Sequence, residues 1–181
     1  MDKPIENIAR AGEIFIYCIW IQGQMSDFLI LKKYPELKLE FIDNPDTVPY
    51  KFHDKRIFYW KKGFGDIKKE FEQEFKDLLG DSDISDLEYI SFIRNAIAHS
   101  HVSIARDYFL YRPNWKPDKE KEMMNLFNIT PVVDESNPRI FKVEFWEDQC
   151  YLDMFNKIKR LDEQCFKIIS KSMNVPHSRV R

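Results

Sequence analysis

The stretch Ser85-Asp86-Leu87-Glu88-Tyr89-Ile90-Ser91-Phe92-Ile93-Arg94-Asn95-Ala96-Ile97-Ala98-His99-Ser100, followed by His101 and the run Val102 to Tyr111, changes period part-way along, and that change decides the fold. Up to Ser100 the apolar residues Leu87, Ile90, Ile93 and Ile97 recur at steps of three and four, which is one face of a helix. Ser85 and Glu88 stand at capping-box spacing, so a helix is expected to begin near Ser85 and to run to about Ser100. From Val102 to Tyr111 β-branched and aromatic residues take over, which favours extended chain.

Upstream, residues 4–33 read as one long helix. Pro4 suits a first helical position, Ile8, Ala11, Phe15, Cys18, Met25 and Leu29 form a stripe interrupted by Gln22, and Pro35 stops it. Pro45 and Pro49 lie in a polar stretch expected to be loop. A second helix is expected over Gly63 to Leu79, with Phe64, Ile67, Phe71, Phe75 and Leu78 inward and Gly80 ending it. Downstream, Phe141, Val143 and Phe145 alternate with Lys142 and Glu144 as in a half-buried strand, and Ile129 to Val133 reads as a further short strand. Asp118 to Phe127 reads as a short helix. A last helix is expected from Asp148 to Met173, with Leu152, Phe155, Ile158, Leu161, Cys165 and Ile168 inward, and the polar, basic tail from Asn174 to Arg181 is expected to fray. The expected fold is mainly α: a single domain over 1–181, a helical bundle of about four long helices. A small β-hairpin or meander at about 102–147 is inserted between the third and last long helices.

Composition narrows the function classes. With 181 residues, 44% hydrophobic and 32% charged, the chain is long enough to bury a core. A formal net charge of -2 predicts no general attraction to nucleic acid or membrane, so any RNA surface has to be a local patch. The five glycines are too few for glycine-rich phosphate loops, and Gly63-Phe64-Gly65 lacks the Lys-Ser/Thr pair such a loop needs. Asp2 and Glu6 stand where a secretory leader would be positive, and the longest apolar run, Ile14 to Ile21, is too short to span a bilayer. Cys18, Cys150 and Cys165 form no CxxC pair and read as reduced, buried thiols of a cytoplasmic protein.

Within the helix that opened this reading, Arg94 and Asn95 are polar residues on an apolar background, followed by small residues and two histidines. Ala96 and Ala98 allow close approach of another helix or a substrate backbone. Asn95 and His99 lie about 40° apart around an ideal helix, whereas Arg94 and His99 lie about 140° apart, and His101 falls about 20° from Arg94. Arg94-Asn95-Ala96-Ile97-Ala98-His99 resembles the motif of the HEPN family of helical-bundle proteins, many of them ribonucleases: an Arg, commonly followed by a polar residue, then a His after four to six residues. His101 fits at the longer spacing; His99 is preferred. The β-rich stretch from 102 to 147 lies outside that family's minimal fold.

The resemblance implies an endoribonuclease needing neither metal nor cofactor, acting on RNA as a homodimer that brings two motifs into one cleft. It also implies a toxin or defence protein held in check by an antitoxin protein. The chemistry is coherent. An imidazole can take the proton of a 2′-hydroxyl as it attacks the adjacent phosphate, leaving a 2′,3′-cyclic phosphate. A guanidinium stabilises the extra negative charge of the phosphorane, and Asn95 can orient His99 or bond a phosphate oxygen. The alternative is a non-catalytic module of the same kind binding RNA, nucleotide or a protein.

Two other features compete for attention. His99-Ser100-His101 looks like a two-His metal pair, but His53, His177 and the cysteines stand at no ligand spacing, so no metal site is read. Lys51, Lys55, Arg56, Lys61 and Lys62 interleave with Phe52, Phe58, Tyr59 and Trp60. Such a stretch can stack bases and hold phosphates, with Lys51, Lys55, Arg56, Trp60, Lys61 and Lys62 as the RNA-contacting set. The reading preferred on composition is a partly buried loop or strand with solvated lysines.

Overall fold

The computed structural model describes residues 2–38, 50–100, 105–112, 131–132 and 140–177. The Pro45–Pro49 loop, the short helix read over 118–127 and His101 lie outside them. The order is α1 (Lys3–Lys33), α2 (Tyr50–Trp60), α3 (Phe64–Glu74), α4 (Asp81–His99), β1 (Phe109–Tyr111), β2 (Pro131–Val132), β3 (Ile140–Val143) and α5 (Asp148–Arg160). A π-helical turn (Leu161–Phe166) then leads into α6 (Lys167–Met173). The protein is mainly helical, with a small antiparallel sheet between α4 and α5 in the chain order. By contact density the chain divides into two compact units, one of residues 1–18 and 88–156, the other of residues 19–87 and 157–181.

Helix α1 matches the expected span within one residue. Its buried stripe is Asn7, Ala11, Ile14, Cys18, Ile21, Met25 and Phe28–Leu29, a strict alternation of fours and threes. Ile8, read as inward, is 38% exposed because it falls one position off that stripe. The apolar run Ile14–Ile21 is short, yet α1 as a whole is long and apolar enough by composition to cross a bilayer. Its most apolar window is 56% buried inside the fold, as in a core helix.

In the first unit, the sheet has the order β1-β3-β2. Register places Phe109 opposite Val143 and Tyr111 opposite Phe141, all four buried. Phe92 of α4 meets the rings of Tyr111 (5.7 Å) and Phe141 (6.2 Å) edge-on, and Phe109 meets Phe145 at 5.3 Å. Pro131 sits on the edge strand β2, where a missing N–H costs no ladder bond. Buried Asn7 accepts the Phe145 N–H through Oδ1 at 2.6 Å, so the polar member of the α1 stripe is satisfied by the segment after β3.

In the second unit, Phe28, Phe71, Phe75 and Phe166 form an aromatic centre with centroid separations of 5.0 to 6.4 Å. Helix α3 ends at Glu74, short of Leu79, and Leu78 is 37% exposed. Residues 51–60, read as loop or strand, are helical. Helix α4 begins at Asp81, four residues before the expected start. The cap is Gly80, whose N–H donates to Asp83 Oδ2 at 2.9 Å, so the acidic half of a capping box operates one turn ahead of Ser85.

In α5 and α6, Leu152 and Ile168 are 48% and 52% exposed, not inward, while Met154 and Ile169 are buried. The π-helical turn inserts an extra residue into the period, moving the buried stripe from 168 to 169. Near the C-terminus, Asn174 adopts a left-handed conformation, and the N–H groups of Asn174 and Val175 donate to the carbonyls of Lys171 and Ser170. Val175 is buried and His177 Nε2 lies 2.8 Å from Asp162 Oδ1. The expected fraying is therefore wrong for 174–177, which a Schellman cap and an apolar contact tie down.

Candidate functional site

The C-terminal end of α4 belongs to the first unit. Leu87, Tyr89, Ile90, Phe92, Ile93 and Ala96 are buried, which fixes the rotation of the helix about its axis. Arg94 and Asn95 are consequently half-buried at the edge of that face, while Ala98 and His99 are exposed. The Ser100 hydroxyl donates back to the Ala96 carbonyl and closes the last turn. Of the two alanines, Ala98 lies open to approach and Ala96 is inside.

Arg94 Nη1 donates to Asn95 Oδ1 at 3.1 Å, and the guanidinium carbon lies 6.0 Å from the Phe15 ring centroid. Its Nε is buried and has no acceptor among the described residues. The nearby Cys18 thiol is no counterion: burial pushes it up to about 12, against the pull of Arg94. A cation held by one amide and a ring, with no carboxylate partner among the described residues, has charge left to offer an anion. His99 makes no hydrogen bond or ion pair among the described residues. The structure bonds Arg94 to Asn95, and no hydrogen bond joins His99 to either. His99 stands in the last turn of α4, at its C-terminal end.

The basic-aromatic residues occupy the second unit. Arg56 Nε and Nη2 donate to Asp27 Oδ1 and Oδ2 at 2.8 and 2.5 Å, and Asp27 is 8% exposed. Burial raises the Asp27 carboxyl above its usual range, and Arg56 opposes that rise. Lys62 donates to Glu70 Oε2 at 2.6 Å, Lys33 donates to Oε1, and the Tyr59 hydroxyl donates to Oε1 at 3.0 Å. Burial works to raise the Glu70 carboxyl, but those three donors outweigh it and bring it down to about 2. Lys55 lies 4.3 Å over the Tyr34 ring. Lys51, Lys61 and Trp60 are exposed, with His53 edge-on to Trp60 at 6.2 Å. Of the six residues read as RNA-contacting, Arg56 and Lys62 are thus committed to carboxylates.

Two concavities flank α2. One, of about 240 Å³, is lined by Trp20, Gly23, Gln24, Ser26, Asp27, Arg56 and Trp60. The other, of about 350 Å³, is lined by Lys33, Tyr34, Asp54, Lys55, Phe58 and Tyr59. Sequence reading missed Trp20, Gln24 and Asp27, although their spacing of four and three marks a second face of α1. Among the described residues no three His, Cys, Asp or Glu side chains gather as metal ligands. Comparison with protein-family models, with curated proteins and with solved structures finds no match.

Proposed function

We propose that the chain is a metal-independent, HEPN-like endoribonuclease, a cytoplasmic toxin or defence protein held in check by an antitoxin protein, with Arg94 and His99 as its working pair and Asn95 positioning Arg94. The observation that carries the reading is the Arg94 guanidinium: tethered through Nη1 to the neutral amide of Asn95, it has no carboxylate partner among the described residues and stands five residues before an exposed imidazole. In the reaction, His99 takes the proton from the 2′-hydroxyl, O2′ attacks phosphorus and the 5′ oxygen leaves. The products are a 2′,3′-cyclic phosphate and a 5′-hydroxyl end. Arg94 binds the phosphorane oxygens, and the leaving oxygen takes its proton from a second imidazole.

One chain supplies only one such pair, so the reading includes a homodimer. Ile5, Ile8 and Ile16, 58%, 38% and 67% exposed on α1 of the same unit, support it, and a side chain at Gly12 would meet nothing within 4 Å. The free, buried thiols Cys18 and Cys165 suit a reducing compartment.

The second reading, a non-catalytic module that binds RNA, nucleotide or a protein at the same place, is favoured by the lack of a hydrogen bond between Arg94 and His99. Expression in a host cell separates the two. The nuclease arrests growth and leaves cyclic-phosphate RNA ends, and His99→Ala or Arg94→Ala relieves both. Full toxicity and cleavage in both variants removes the nuclease assignment.

A further inference from the structure

The concavity between α1 and α2 in the second unit has a chemistry of its own. Two indoles line it: Trp20, braced against Phe166 at 6.2 Å, and Trp60, 63% exposed. Gly23 contributes open space, since an added Cβ would meet nothing within 4 Å. Arg56 is locked in place by its paired bonds to buried Asp27, and this leaves Nη1 without an acceptor among the described residues. Gln24, on the lining, also has no hydrogen-bond partner among them, so it offers one carbonyl and one amide. At about 240 Å³ the space falls below that of drug-sized sites, roughly 300–1,000 Å³, and fits one ring system.

These groups specify a ligand with a flat π face and a mixed donor-acceptor edge. A sugar also lies against indoles, but charge decides between them. Lys61, directly after Trp60, is exposed and has no carboxylate partner among the described residues, so that rim carries an excess positive charge. A neutral sugar has no use for that excess; a base on a phosphate chain does. We propose that this pocket binds a nucleobase, stacked on Trp60 and Trp20 and read at its edge by Gln24 and Arg56 Nη1. Lys61, beside Trp60, attracts the attached phosphates. The base can belong to a mononucleotide or be unstacked from single-stranded RNA. This inference does not rest on the cleavage reading.

The test titrates the full chain with a fluorescent 2′-O-methyl hexanucleotide, which lacks the attacking hydroxyl, and separately with AMP, UMP and ribose 5-phosphate, following tryptophan emission. The hexanucleotide is expected to bind, with Trp60→Ala weakening it about tenfold, in line with roughly 1–3 kcal/mol for stacking, and Trp60→Phe restoring most of the loss. Gln24→Ala is expected to change the preference among bases. Saturable binding of AMP or UMP would identify a nucleotide pocket, and binding of the oligomer alone an RNA subsite; either outcome upholds the proposal. Ribose 5-phosphate binding as well as AMP, or a Trp60→Ala protein of native circular dichroism binding within twofold of the parent, overturns it. Failure of the nuclease reading would appear instead as cleavage surviving in His99→Ala, which leaves this binding untouched.

Discussion

The two ends of α4 carry arginine chemistry in opposite states. At its N-terminal end, Arg160 reaches Asp86, Asp83 and Ser82. Nε bonds Asp86 at 2.7 Å, Nη1 bonds Asp83 and the Ser82 hydroxyl at 2.9 and 3.2 Å, and Nη2 bonds the Ser82 carbonyl at 2.7 Å. Lys157 adds a further bond to Asp86, which is 4% exposed. At the C-terminal end, Arg94 has one neutral acceptor and an idle Nε. A guanidinium bonded throughout to carboxylates and a carbonyl is a fastener; one held by an amide and a ring, with no carboxylate beside it among the described residues, has charge left for an incoming anion.

The largest expected effect tests that contrast directly. On the proposed nuclease reading, Arg94→Ala should lower RNA cleavage by about 10²–10³-fold, the scale of losing a donor to a developing oxyanion, with chemical denaturation showing under about 1 kcal/mol of change. Arg160→Ala should do the reverse: about 3 kcal/mol less stability, because buried Asp86 keeps only Lys157, with cleavage per folded molecule unchanged. If denaturation shows Arg94→Ala to be as costly as Arg160→Ala, Arg94 is a second fastener and the comparison breaks.

A smaller effect sharpens the same contrast within α2 and α3, where Glu70 binds Lys33, Lys62 and Tyr59. Its carboxyl is held at about 2 in the fold, below the ordinary 4.5. The stability it contributes is therefore fully present above pH 4.5 and is lost as pH falls toward 2. Discounted for the solvent around Lys33, the contribution is about 1–2 kcal/mol. Glu70→Gln should be less stable than the parent by that amount at pH 7, and the two should converge near pH 2 in thermal melts. A constant gap across that range would mean that packing, not charge, distinguishes them.

What the sequence disclosed followed the strength of its periodicity. Helix α1 and the strand β3 were legible because their stripes are long or strictly alternating. Residues 50–60 were not, because the apolar positions of that helix are aromatic and its lysines and Arg56 are spread around it, so no single face dominates; its partners Asp27, Tyr34 and Glu70 are remote in sequence. The start of α4 was misplaced because two overlapping cap patterns exist and only coordinates show that Asp83 bonds the Gly80 N–H. Arg94 and His99 were singled out by a short motif resemblance, and its spacing says nothing of which donor of Arg94 is engaged.

The smallest expected effect lies where period and packing diverge. An unbroken 3.6-residue repeat through α5 and α6 puts Ile168 inside, yet the π-helical turn at Leu161–Phe166 delays the stripe by one residue. Ile169 is fully buried and Ile168 is 52% exposed. Ile168→Ala should therefore change stability by less than about 0.5 kcal/mol, whereas Ile169→Ala should cost roughly 2–4 kcal/mol through lost burial and the cavity left behind. Urea denaturation of the pair reads the phase of the helix in solution. Equal costs would mean that the turn relaxes and the stripe is shared, and reversed costs would mean that the wide turn does not form, which would also release Asp162, seated within it, from His177.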